Sequence, residues 1–106
     1  MPKYLLQASY TAEGTKGLLK DGGSQRRAAA QEALKGVGGR LDAFYYAFGE
    51  TDVFAIADVP DNVSAAALSL TVSASGAVNT KITVLPTPEE IDQAAQKTVG
   101  YRSPGH

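Results

Sequence analysis

LDAFYYAFGETDVFAIADV, the stretch Leu41–Val59, is two alternating runs separated by a short polar break. Leu41–Phe48 reads as one strand and Val53–Val59 as the next. Gly49-Glu50-Thr51-Asp52 between them has the composition of a tight hairpin loop. With Phe48 opposite Val53, residues Phe44, Tyr46 and Phe48 share one sheet face with Val53, Ala55 and Ala57. The other face collects Ala43, Tyr45 and Ala47 with Phe54 and Ile56. Both faces are apolar. One can be covered by the chain's own helices, and the other is left for a partner.

Outward from this hairpin the pattern repeats. Lys3–Tyr10 alternates Tyr4, Leu6, Ala8 and Tyr10 against Lys3, Leu5, Gln7 and Ser9, and is predicted as a first strand. Thr11 can cap a helical stretch through Lys20, weakened by Gly14 and Gly17. Gly22-Gly23 interrupts it, and Ser24 is predicted to cap a stronger helix in which Ala30, Ala33, Leu34 and Val37 share one face. Gly36, Gly38 and Gly39 end that helix. Residues 61–76 alternate like a strand at Leu68, Leu70 and Val72. Asp61 or Asn62 as cap, Ala65-Ala66-Ala67 and the terminal Gly76 favour helix instead, and a strand there would leave no crossover. Val78–Leu85 reads as a fourth strand. Thr87-Pro88-Glu89-Glu90 is a capping box that opens a short C-terminal helix. The order βαββαβ gives an α+β fold, a ferredoxin-like sandwich with a four-stranded antiparallel sheet and helices on one face. The domain is expected over residues 1–97, with 98–106 as a loose tail.

The bulk composition narrows the chemistry. A chain of 106 residues holds one core. Its net charge of −1, from 10 basic and 11 acidic residues, gives no overall drive toward nucleic acid. There is no cysteine, which excludes disulfides, thiolate catalysis and Cys-ligated metal. The single histidine, His106, is read as a solvated terminal residue, so neither haem ligation nor a Ser–His–Asp arrangement is expected. No cofactor and no metal are expected. Gly36-Val37-Gly38-Gly39 closes a helix, whereas nucleotide-binding glycines follow a strand and open one. Met1-Pro2-Lys3-Tyr4 leads straight into a strand, and no run approaches the roughly 18 apolar residues of a membrane helix. A cytoplasmic protein without a membrane partner is the expectation.

Three segments carry a resemblance. GLLKDGGSQRR (Gly17–Arg27), FYYAFG (Phe44–Gly49) and the stretch Ala65–Val78 with Ser75-Gly76 resemble the GYD domain family of small bacterial and archaeal proteins. The likeness runs over residues 3–95. The family's Gly-x-Tyr-Asp signature stands here as Gly49-Glu50-Thr51-Asp52, with Thr51 in place of the tyrosine. Gly49 and Asp52 match the signature, and the aromatic ring's role does not carry to Thr51. The resemblance implies a dimeric α+β barrel, in which two ferredoxin-like units pack sheet to sheet.

Six residues stand out as candidate ligand contacts. Lys16, Lys20 and Arg26, together with Arg27 and beside Gly22-Gly23, make the one concentrated basic stretch, suited to a small anionic molecule at a helix start. Pairing with Glu13 or Asp21 on a solvated face is the plainer alternative. Arg26 lies four residues before Ala30, on the inward stripe. Tyr45 and Tyr46 point to opposite sheet faces, each with a phenol able to donate a hydrogen bond. Asp52 is expected mainly as a turn residue bonding local backbone N–H groups. No catalytic constellation emerges. The favoured function is a homo-oligomeric domain binding a small ligand between helices and sheet. The alternatives are a cofactor-independent enzyme of oxygenase or isomerase type, with Tyr46 or Asp52 handling protons of a small aromatic or enolisable substrate, and a structural or partner-binding subunit.

Overall fold

The computed structural model describes residues 1–106. Its elements are β1 (Lys3–Tyr10), α1 (Ala12–Asp21), α2 (Gly23–Gly36), β2 (Arg40–Tyr46), β3 (Val53–Asp58), α3 (Asn62–Ala74), β4 (Val78–Leu85) and α4 (Pro88–Ala95). The four strands form one antiparallel sheet in the order β2-β3-β1-β4. This is the α+β, ferredoxin-like arrangement that the strand and helix order requires. Helix α2 packs over β2 and α3 over β4.

The core forms where sheet residues of one parity meet α2 and α3. Tyr4, Ala57 and Val59 from the strand side pack with Leu34 of α2 and Ala65 of α3, with Leu6, Leu41, Leu68 and Ile82 around them. The Tyr4 hydroxyl is not stranded in this core. It donates to Asn62 Oδ1 at 2.6 Å and ties β1 to the first residue of α3.

The opposite face is open and divided. On β2 and β3 it shows Ala43, Tyr45, Phe54 and Ile56, while on β1 and β4 Leu5 and Leu85 sit among Gln7, Ser9, Asn79, Lys81 and Thr83. One corner carries four charges. Lys3 bonds Asp42 and also Asp58 (2.9 Å), and Arg40 reaches Asp58 (2.8 Å) and Asp42 (3.4 Å). Asp58 is the one charged residue among the buried positions, and both cations converge on it.

The hairpin corrects the sequence reading. β2 stops at Tyr46, which faces Val53, so Phe48 belongs to the connection 47–52 and is fully exposed. The cause is Asp52. Its N–H donates to the Ala8 carbonyl and its own carbonyl accepts the Ala47 N–H, both at 2.8 Å, which widens the loop by engaging both neighbouring strands. The expected face assignments survive because the shift is two residues, and only an odd slip inverts side chains. A β-bulge between Leu41 and Ala43 adds a second irregularity.

The joint between the first two helices is tighter than expected. Ser24 is not the cap of α2. Gly22 holds that position at φ +83° and serves both helices, its N–H donating to Leu18 and its carbonyl accepting from Arg26. Thr11, Asp61 and Thr87 cap α1, α3 and α4 through their side chains, as their residue types suggest. Gly14 has a purpose beyond permissiveness. α1 crosses the start of β4 so closely that a Cβ there would lie 2.0 Å from the Ala77 carbonyl oxygen.

α4 makes no more than marginal contact with any other element, and all of its residues are exposed. The Cα radius of gyration is 16.8 Å, against about 13 Å for a compact chain of this length. The C-terminal arm stands off the body.

Candidate functional site

Two concavities lie at the end of the sheet where β1 finishes and the hairpin turns. The inner one is a half-open pocket of about 160 Å³ between α2, α3 and the sheet. Its walls are predominantly apolar, 15 of 19 lining residues being hydrophobic. Leu6, Ala55 and Ile82 form the floor, Ala30 and Ala33 of α2 and Val72 of α3 form the sides, and the space opens to solvent between the two helices. Small residues on α2 create this room, because an alanine face cannot fill the space that a leucine face would.

The polar groups of the inner cavity are few. Ser69 Oγ and Thr80 Oγ1 lie 2.7 Å apart, and Ser73 Oγ is 3.2 Å from the same Thr80 oxygen. These hydroxyls satisfy one another. Arg26 lines the cavity too, and its side chain is 36% exposed, so it stands at the rim. Its acidic neighbour is Asp21, 3.9 Å away and 40% exposed, a pairing too long and too wet to hold the guanidinium firmly. The Gln7 amide oxygen meets the Thr51 hydroxyl at 3.4 Å, so the residue in the signature's tyrosine position touches β1.

The outer concavity is a shallow cleft lined by Tyr10, Thr15, Leu18, Gly23, Tyr46, Ala47, Phe48 and Asp52. Tyr10 lines both spaces and divides them. The Tyr46 ring lies on Gly23, where a Cβ would sit 3.0 Å from its Cε2, and its hydroxyl donates to the Gly23 carbonyl at 3.0 Å. Phe44 meets Tyr46 edge to face at 5.3 Å. Burial pushes the Tyr46 phenol above its ordinary pKa of 10.0, and the neighbouring Tyr10 adds to the rise against Arg26 and Arg27. A phenol so placed keeps its proton and donates.

The structure gathers some of the six candidate residues and scatters others. Arg26 lines the cavity, and Tyr46 and Asp52 share the cleft. Tyr45 is on the opposite sheet face, 72% exposed. Lys16 and Lys20 are exposed on α1 and line neither space. Asp52 is a backbone partner as expected, but not a local one. Its Oδ2 accepts the N–H of Tyr10 on another strand, because the widened loop carries it alongside β1. The sequence reading passed over Tyr10, Ser69 and Thr80. Tyr10 had a signal, since it shares the parity of Tyr4 and Leu6. No group of three or more His, Cys, Asp or Glu side chains converges in a way that could hold a metal ion. No helix is long and apolar enough to cross a membrane.

A family model described as the GYD domain matches residues 4–95. No curated protein and no solved structure matches the chain.

Proposed function

The chain belongs to the GYD domain family, and from that premise we propose that it is a homo-oligomeric binding domain, acting in the cytoplasm, for a small anionic molecule held between helices and sheet. The observation that carries the reading is the apolar cavity with Arg26 at its rim. Binding sites for small molecules are typically apolar recesses with a few placed polar groups. Lys16 and Lys20 contribute at most a diffuse positive field from α1, and Tyr46 and Asp52 shape the approach. The apolar half of the open sheet face, with Tyr45 and Phe54 exposed, supports self-association. An enzyme using Tyr46 or Asp52 for proton transfer has less support, because both groups are engaged with backbone, at Gly23 and Tyr10 respectively.

Native mass spectrometry of gently purified protein tests the reading. A small molecule retained at one per chain, lost on unfolding, is the expected result. Protein that carries nothing, and whose melting temperature no small anion raises, overturns it.

A further inference from the structure

We infer that the inner pocket takes a monocarboxylic acid with a single-ring or short branched hydrocarbon body, the body against the apolar lining and the carboxylate at Arg26. This inference rests on the binding role proposed above and narrows it to a ligand class.

Size sets the body. The cavity measures about 160 Å³, and an apolar protein cavity of about 150 Å³ is known to accept benzene. One ring or about six carbons therefore fills it, and a fused pair of rings or a nucleoside would project past its open side. The lining sets the polarity. Fifteen of the 19 lining residues are hydrophobic, the others being Gln7, Arg26, Ser69 and Thr80, so most hydroxyl or amide groups on the body would lose hydrogen bonds on entry.

The head group follows from which polar side chains still have capacity. Ser69, Ser73 and Thr80 bond among themselves, and no buried side-chain nitrogen or oxygen lacks a partner. The interior therefore holds no buried polar group that requires a ligand to satisfy it. Arg26 differs. A guanidinium has five N–H donors, and the acidic group near it is Asp21 at 3.9 Å. Its planar fork matches a carboxylate in a two-point bond. A phosphate dianion is a poorer match, because Lys16 and Lys20 do not line the pocket and Arg26 is the one cationic residue that does. An acid with its hydrocarbon inward and its charge at the rim satisfies both surfaces at once.

Calorimetric titration of the intact protein with benzoate, hexanoate, benzyl alcohol and 2-naphthoate tests this. Benzoate and hexanoate are expected to saturate at one site per chain. Benzyl alcohol, the same body without charge, should bind about tenfold or more weakly, the usual worth of a hydrogen bond to a charged group. Naphthoate should bind more weakly than benzoate. Arg26→Gln should lower benzoate affinity to the level of the alcohol, and Ala30→Leu, which fills the cavity, should abolish binding while circular dichroism shows the fold retained. The comparison of benzoate with the alcohol uses the parent alone, so it holds even if a variant fails to fold. If the alcohol binds as tightly as benzoate, the carboxylate assignment is wrong and the binding role survives. If naphthoate binds as tightly as benzoate, the size limit is wrong. If none of the four binds, the inference fails. A ligand of another class retained in native mass spectrometry would then keep the broader reading, and protein carrying none would remove that as well.

Discussion

The Asp52 carboxylate accepts the backbone N–H of Tyr10 at 2.8 Å, across 42 positions of sequence. It sits where the β1–β3 ladder, whose last pair is Ala8 with Val53, would otherwise leave that N–H open. A side chain thus extends a sheet by one rung and fixes the tyrosine that divides the two concavities.

Asp52→Asn should cost little stability, since the amide oxygen can accept the same bond. Asp52→Ala should cost about 1–3 kcal/mol, the penalty of an unsatisfied, partly buried donor. Urea unfolding checks both. Equal large losses would mean that the negative charge itself is what matters.

Two glycines of one helix should respond in opposite ways. Gly14→Ala drives a methyl into the Ala77 carbonyl and should destabilise by about 1–3 kcal/mol or more. At Gly17 nothing lies within 4 Å of an added Cβ. There alanine should stabilise by about 0.4–1 kcal/mol, through the lower backbone entropy of the unfolded chain. Thermal melts of the two variants should move to either side of the parent.

The charged corner should leave a mark on the pH dependence of stability. The Lys3 hydrogen bond, then that of Arg40, holds the Asp58 carboxyl below its ordinary 3.8. A depressed carboxyl adds stability that is complete above its unfolded pKa and is lost as pH falls through its folded one. Unfolding free energy should therefore drop on acidification below about pH 4, and less steeply in Asp58→Asn. Lys3 works at the other end. Asp42 first, then Asp58, raises its ammonium above 10.5. That contribution is complete below 10.5 and is lost as pH climbs through the raised value. Equal acid slopes for parent and variant would show that the corner adds nothing.

Self-association should depend on the apolar half of the open face. The parent is expected to scatter light as a dimer or a multiple of dimers at micromolar concentration, and Phe54→Glu as a monomer with an unchanged circular dichroism spectrum. Stable interfaces bury more than about 1,000 Å² in total, so one central charge without a partner should be enough to break one. A monomeric parent removes the oligomer from the proposal.

Period-two and period-3.6 patterns made most of this fold legible. Tyr4, Leu6 and Ala57 fell on the covered face because parity survives even a two-residue error in hairpin register. The true register was hidden, because it is set by bonds from Asp52 to Ala8 and Tyr10 that no local pattern announces. α3 read ambiguously since its serines alternate with apolar residues. In the helix this turns Leu68 and Ser69 toward the sheet and leaves Leu70 72% exposed. Arg26 was legible from its spacing to Ala30. The cavity itself was not, because empty volume belongs to the packing of three elements and to no single stretch of chain.

The helix α4 makes a different kind of demand. Its capping box closes its first turn, but eight residues in water are well short of the roughly 12–15 at which a lone helix becomes stable. With no more than marginal contact to its neighbours, it is expected to open as a foldon of its own at a free energy near zero, and the sheet only with the whole domain. Deuterium should enter the amides of Ile91–Ala95 within the dead time of an exchange experiment and reach those of β1 last. Any surface that covers Ile91 would then order the segment as it binds, so part of its contact energy would go to folding the helix and the measured affinity would understate the contact.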